Sequence, residues 1–99
     1  MPAQPTDDLL AALRQLLPEL QERWAVETLE VFGSRARGDA GPDSDLDLLV
    51  TFRQTPDLLA LVALEQELSD RLGLRVDRVL RRALKPRVRD SILREVIPV

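Results

Sequence analysis

The chain has 99 residues, enough for one domain, and carries 14 basic and 17 acidic side chains for a net charge of −3. It contains neither Cys nor His, which excludes disulfides, the common zinc sites and histidine bases, so any bound metal must take oxygen ligands, as Mg²⁺ prefers. There is no apolar run long enough for a membrane span and no pattern of a signal peptide, so we expect a single cytoplasmic domain over residues 1–99.

The first half of the chain predicts a helix, a strand and a loop. Leucines recur at helical spacing from Leu9 to Leu20, and Pro18 is expected to kink or interrupt this helix because it lacks an amide donor. Residues 25–32 are predicted to form a strand. The sequence "GSRARGDAGPDS" follows, with three glycines and a proline, so we expect a loop that holds at most one short helical turn.

The second half predicts two more strands and two more helices. Residues 45–52 form the clearest strand, and residues 74–80 alternate in a way that predicts a third. Thr55 and Pro56 predict the start of a helix between these strands, and a last helix is expected over roughly residues 86–95. The order of elements predicts an α/β (α+β) fold, in which helices pack against a small sheet.

Two aspartates stand one residue apart where the second strand begins. Side chains alternate along a strand, so Asp45 and Asp47 share a face while Leu46 and Leu48 share the other. Carboxylates about 6.6 Å apart repel by about 2.5 kcal/mol at an effective dielectric constant of about 20. A divalent cation between them would relieve this repulsion, although a solvated strand edge or turn would also tolerate the pair.

A third acid, Asp77, lies in the middle of the third predicted strand, where propensity disfavours it. If this strand lies beside the second one, three carboxylates can hold two divalent ions about 3.5–4 Å apart, as in two-metal phosphoryl or nucleotidyl transfer. The simpler alternative is that Asp77 pairs with Arg75 or Arg78.

The residues after the first strand are candidates for binding phosphate. Gly33 allows backbone amides to approach an anion closely, and Ser34 adds a hydroxyl donor, although Gly-Ser is also common in ordinary turns. A helical turn starting there would direct free amides towards phosphates. Arg35 and Arg37 could neutralise phosphate charge or could pair with nearby acids.

Charge is distributed unevenly along the chain. Residues 1–70 carry five basic and 14 acidic side chains, whereas residues 71–99 carry nine basic and three acidic ones. The basic segment is either a solvated helix face or a docking surface for an acidic partner or for phosphates. With one Trp, two Phe and no Tyr, the chain has too few aromatic residues for base stacking, so we expect no direct nucleic-acid binding.

The stretch "GSRARGDAGPDSDLDLLV" resembles the Gly-Ser-x10-Asp-x-Asp signature of the DNA polymerase β-like nucleotidyltransferase superfamily. The short length and the ending "LKPRVRDSILREVIPV" resemble its minimal members, the MNT-domain proteins. The resemblance implies a nucleotidyltransferase fold, with a small mixed sheet flanked by helices and a site at the strand ends. Gly33 and Ser34 then match the residues that hold the nucleotide phosphates. Asp45 and Asp47 match the ligands of two Mg²⁺ ions, and Asp77 matches the acid that ligates the catalytic metal and assists deprotonation of the acceptor.

Minimal members are similar to antitoxins encoded beside HEPN-domain ribonuclease toxins. In that family the MNT protein silences the toxin by transferring AMP from ATP to a tyrosine hydroxyl. The resemblance thus implies an ATP-using enzyme with a HEPN-domain toxin as its partner, in a hetero-oligomer with it. Two alternatives stay open: a non-catalytic antitoxin that neutralises by complex formation, and a small-molecule nucleotidyltransferase completed by a partner subunit.

Overall fold

The structure, a computed structural model, describes residues 5–99, with side chains from residue 7 onward. Its elements in chain order are α1 (Pro5–Trp24), β1 (Val26–Phe32), α2 (Ser34–Arg37), β2 (Leu46–Phe52), α3 (Leu58–Leu72), β3 (Val76–Leu80), a 3₁₀ turn (Arg81–Ala83), α4 (Pro86–Glu95) and β4 (Ile97–Pro98). No helix within residues 5–99 has the length and apolar character needed to cross a membrane.

The strands form one four-stranded sheet in the order β3-β2-β1-β4. β2 runs parallel to β3 and antiparallel to β1, and β4 runs antiparallel to β1. The predicted mixed sheet with flanking helices is therefore confirmed. The two-residue strand β4 was not predicted, because so short a segment carries no periodic signal; it is fixed by pairing with β1, beside which the Val99 amide donates to the Leu29 carbonyl at 3.0 Å.

The core is formed by apolar side chains from α1, α3 and one face of the sheet. Leu46 and Leu48 on β2 are fully buried, as are Leu13 of α1 and Leu64 of α3, and Val50 is 1% exposed. Burying one such leucine side chain contributes about 2 kcal/mol. The alternation that turns Leu46 and Leu48 into the core turns the acidic residue between them to the opposite face of the sheet.

The structure narrows one local prediction and corrects another. α1 runs through Pro18, so the helix is not interrupted there: Leu13 and Leu20 on either side of it are buried, and their packing outweighs one missing backbone hydrogen bond. α3 starts later than Thr55 and Pro56 predict: Asp57 is its N-cap, and its side chain accepts a hydrogen bond from the Ala60 amide at 2.8 Å.

α3 covers the outer edge of β3. The Val76 amide donates to Ser69 Oγ at 3.1 Å, and the Arg78 amide donates to Glu65 Oε2 at 3.4 Å. These side chains satisfy donors that an edge strand would otherwise leave unpaired. The contacts hold β3 in place and with it Asp77, which lies between the two bonded amides.

Candidate active site

Asp47 and Asp77 occupy paired positions on the parallel strands β2 and β3. One step earlier, Leu46 is paired with Val76, and both of these side chains are buried in the core. Because side chains alternate, Asp47 and Asp77 project from the opposite face as direct neighbours, on strands that lie about 4.8 Å apart. The third predicted acid is thus on the same face of the sheet as the second.

Asp45 lies just before β2 at the same end of the sheet. The amide of Leu46 donates to the Arg75 carbonyl at 2.8 Å, which ties the start of β2 to the start of β3. Asp45 and Asp77 line a cavity of about 430 Å³, within the size range of small-molecule sites. The cavity is also lined by Arg75, Val76 and the α3 residues Glu65, Gln66 and Ser69.

The neighbouring arginines differ in their surroundings. Arg78 pairs with Glu65, with 3.9 Å between Nε and Oε2, rather than with Asp77. Arg75 is exposed and lines the same cavity as Asp77. Asp77 is itself exposed, so its carboxylate is open to the cavity and available to a ligand.

Asp47 is the carboxylate at this end of the sheet whose charged form is disfavoured by its surroundings. Burial is the main cause that raises the pKa of Asp47 above its ordinary value, and the charges of Asp77, Asp45 and Glu95 raise it further, against an opposing effect of Arg37. A bound cation would relieve this repulsion. An all-oxygen donor set from Asp45, Asp47 and Asp77 fits Mg²⁺ in its chemistry. Within residues 5–99 no three acidic groups already surround one point closely enough to hold an ion, so ligation requires these side chains to turn towards each other.

Gly33 forms a tight turn against Asp47. It has φ 78° and ψ −155°, a conformation that favours glycine, and its carbonyl accepts hydrogen bonds from the amides of Ala36 and Arg37 at 3.1 and 3.0 Å. A Cβ at Gly33 would overlap the Asp47 carboxylate and lie 3.1 Å from its Cγ. The absence of a side chain therefore lets the turn sit directly on the acidic group.

Ser34 and Arg35 begin α2, the short helical turn expected inside the loop. The Ser34 carbonyl accepts from the amides of Gly38 and Asp39, both at 3.0 Å. Arg35 is 7% exposed and donates from Nη2 to the Ser44 carbonyl at 2.7 Å, which closes the loop over residues 38–44. Gly33 and Ser34 thus form the turn beside the acids, whereas Arg35 braces the loop; their roles as phosphate ligands stay predictions.

Arg37 is held by acidic neighbours. Its Nε lies 3.2 Å from Asp39 Oδ2, and Nη1 lies 3.4 Å from both carboxylate oxygens of Glu95. These hydrogen bonds, first to Asp39 and then to Glu95, raise the pKa of Arg37 above its ordinary value. Ion pairing with nearby acids, the alternative left open for this residue, is what the structure shows, and phosphate binding by Arg37 remains a prediction.

Glu95 was not recognised from the sequence as part of this site. Its Oε1 accepts a hydrogen bond from the Gly33 amide at 3.1 Å, across 62 positions of sequence. One feature of the sequence could have indicated its role. An acid at the C-terminal end of α4 is disfavoured by the helix dipole, so a stabilising contact to its carboxylate is expected.

A family comparison covers most of the chain: the model for the nucleotidyltransferase domain matches residues 13–99. The protein adenylyltransferase MntA of Thermococcus cleftensis is 48% identical over 81 residues, 82% of either chain. A relative from Methanocaldococcus jannaschii, also named as a protein adenylyltransferase, is 42% identical over 88 residues, which cover 88% of this chain and 90% of that one.

Solved structures share the fold. A minimal nucleotidyltransferase superposes with a TM-score of 0.77 at 46% identity, over 93% of this chain and 94% of that one. A toxin–antitoxin complex with AMP-PNP has a TM-score of 0.68 at 24% identity, over 94% and 70% of the two chains. The complex of tri-AMPylated Shewanella oneidensis HEPN toxin with MNT antitoxin has a TM-score of 0.61 at 21% identity. The match covers 97% of this chain and 71% of that one. The last two support the fold alone. With the family model and close relatives in agreement, the chain belongs to the nucleotidyltransferase domain family and is an enzyme of that kind.

Proposed function

We propose that this enzyme is a Mg²⁺-dependent protein adenylyltransferase that moves AMP from ATP to a tyrosine hydroxyl of a HEPN-domain ribonuclease toxin. It would act in the cytoplasm as the antitoxin of that toxin. The observation that carries the proposal is the pairing of Asp47 with Asp77 on one face of the sheet, with the Gly33 turn packed on Asp47. The relative at 48% identity is named a protein adenylyltransferase, and one structural neighbour contains an AMPylated HEPN toxin.

In the proposed reaction, the acceptor hydroxyl oxygen forms a bond to the α-phosphorus of ATP. The bond from that phosphorus to the bridging oxygen breaks, and pyrophosphate leaves with the bonding electron pair. When bound by Asp45, Asp47 and Asp77, Mg²⁺ would supply charge neutralisation for the triphosphate and the leaving group. Asp77, which is exposed, would accept the proton released by the acceptor hydroxyl.

The turn at Gly33 and Ser34 is proposed to receive the triphosphate. Gly33 has no side chain to separate an incoming phosphate from the acids, and Ser34 offers a hydroxyl at the first position of α2. Because the turn touches Asp47, phosphates bound there would be adjacent to the carboxylates that hold the metal. This placement supports transfer of a nucleotide over simple binding of an anion.

The partner is proposed to dock on an arginine-lined cavity of about 250 Å³ at the other end of β2. Its basic lining is Arg81, Arg82 and Arg89, and its remaining lining is Val50, Thr51, Phe52, Thr55 and Leu80. Arg81 is paired with Glu30 at 3.3 Å, whereas Arg82 and Arg89 are exposed. Charge complementarity favours an acidic surface of the toxin there. Phe52 lies five positions along β2 from Asp47, about 16 Å away, a distance that a protein acceptor can span.

Intact mass spectrometry of the partner tests the proposal. The proposed partner, a HEPN-domain toxin, should gain the mass of one or more AMP groups when it is incubated with the enzyme, Mg²⁺ and ATP. Asp45→Ala and Asp47→Ala should abolish the gain, while Asp90→Ala, at an exposed acid on α4, should leave it intact.

Two results would count against the proposal. Wild-type rates in both aspartate variants would show that the metal assignment is wrong. An unmodified partner that is nevertheless inhibited would favour neutralisation by complex formation. Parallel incubations with GTP and CTP would establish whether the base of the nucleotide matters.

A further inference from the structure

The C-terminal tail contacts the predicted nucleotide-binding turn through one side chain. Glu95, the last residue of α4, accepts a hydrogen bond from the Gly33 amide at 3.1 Å and lies 3.4 Å from Arg37 Nη1. Its side chain is 25% exposed, so the contact is partly shielded from water. One carboxylate thus joins the first residue of the turn to the last residue of α2.

The placement of Glu95 is determined by pairing elsewhere in the sheet. β4 begins two residues later, where Ile97 pairs with Val31 and Pro98 with Glu30. These pairs fix the tail alongside the last part of β1, and β1 leads directly into Gly33. The carboxylate of Glu95 therefore reaches the turn from a rigid support rather than from a free chain end.

The Gly33 backbone needs such a support. Its conformation has a positive φ, and its amide, one position beyond the end of β1, donates to the side chain of Glu95. Asp47 lies against the turn on another side. Without the Glu95 carboxylate, the Gly33 amide would have to donate to water. Arg37 would lose its ion pair with Glu95 and keep only the one with Asp39.

We propose that Glu95 is a positioning residue, which holds Gly33 and Arg37 in the arrangement that receives the nucleotide phosphates. The proposal rests on the nucleotidyl transfer proposed above, and it adds that the C-terminal tail is part of the nucleotide site. Glu95 acts through the turn and does not touch the reacting atoms.

Binding of AMP-PNP with Mg²⁺, measured by calorimetry, separates this role from general stability. Glu95→Ala should weaken binding about tenfold, the equivalent of one hydrogen bond to a charged group. Glu95→Gln keeps an acceptor oxygen for the Gly33 amide and should recover most of the affinity. Asp90→Ala, at another acid on the same helix, should bind as the wild type does.

Hydrogen exchange of the Gly33 amide gives a second readout that needs no nucleotide. The chain has four glycines, so their amide signals are readily assigned by NMR. Exchange at Gly33 should become about tenfold faster in Glu95→Ala and stay near the wild-type rate in Glu95→Gln.

Unchanged or tighter AMP-PNP binding in Glu95→Ala would overturn the proposal, as would unchanged Gly33 exchange. Failure of the proposed function would look different. The wild-type protein would bind AMP-PNP but add no AMP to its partner, and the effect of Glu95→Ala on AMP-PNP binding could still be measured.

Discussion

Asp47 of β2 and Asp77 of β3 are direct partners across two parallel strands, although 30 positions separate them in the sequence. Their backbones are held together by the sheet, while their charges repel across the short distance between strands. Buried Leu46 and Val76, paired one step earlier, fix this register from the core side. The fold therefore keeps two acids together at a cost in stability, which the proposed binding of a cation would offset.

The first prediction is that Asp47→Asn gains stability at neutral pH while it loses activity. Burial, with the charges of Asp77 and Asp45, raises the pKa of Asp47 on folding, so ionising it destabilises the folded state. This penalty is absent below the ordinary pKa, near 4, and grows as the pH rises through the raised value. The variant should have a higher free energy of unfolding than the wild type at pH about 7, and this difference should shrink towards pH about 3. Its rate of AMP transfer should fall at least about hundredfold.

Urea unfolding in metal-free buffer measures this difference, because bound Mg²⁺ would stabilise only the native site. Asp90→Asn, at the exposed acid on α4, is the control for removing one negative charge. A variant less stable than the wild type at neutral pH would show that the site carries no electrostatic penalty.

The second prediction separates the conformation of Gly33 from its contact with Asp47. Gly33 and Gly38 both have positive φ, 78° and 84°, but a Cβ would overlap Asp47 at the first position and meet nothing within 4 Å at the second. Gly38→Ala should cost about 1 kcal/mol in the free energy of unfolding and keep AMP transfer. Gly33→Ala should cost about 2–3 kcal/mol and abolish transfer. Equal costs in urea unfolding would mean that the Gly33 turn can move away from Asp47.

The third prediction concerns the start of α3. Asp57 caps the helix through its bond to the Ala60 amide, so Asp57→Ala should lower the free energy of unfolding by about 1 kcal/mol. Thr55→Ala, at the position that the sequence favoured as the cap, should change it by less than about 0.5 kcal/mol. Thermal or urea unfolding of the two variants measures the contrast, and a larger effect at Thr55 would contradict the observed helix start.

The fourth prediction tests the arginine-lined cavity as the partner's dock. The double variant Arg82→Glu with Arg89→Glu should raise the KM for the protein acceptor at least about tenfold. The KM of the wild type should rise with salt concentration, whereas that of the variant should not. Affinity for AMP-PNP should not change, because the cavity lies at the far end of β2. Arg81 is left intact because it pairs with Glu30.

Arg14→Glu on α1 serves as the control for a reversed surface charge. If the double variant modifies the proposed partner with the wild-type KM, the basic segment is a solvated surface and the partner docks elsewhere.

The sequence by itself determined what depends on neighbouring residues. The alternation of a strand turns Asp47 to the face opposite Leu46 and Leu48 whatever the rest of the fold, and the spacing of Gly33-Ser34 from the paired aspartates was sufficient to predict the family that the comparisons confirm. The last helix, over Pro86–Glu95, also follows from local signals.

Only the tertiary structure decided which distant residues meet. The register that sets Asp77 beside Asp47 depends on how two parallel strands align, and the bond from Glu95 to Gly33 depends on a two-residue strand that pairs with β1. Core packing also lets α1 continue through Pro18, although a proline inside a helix locally favours its interruption. Such contacts follow from the burial of apolar surface by the whole chain, and no short window of sequence contains that information.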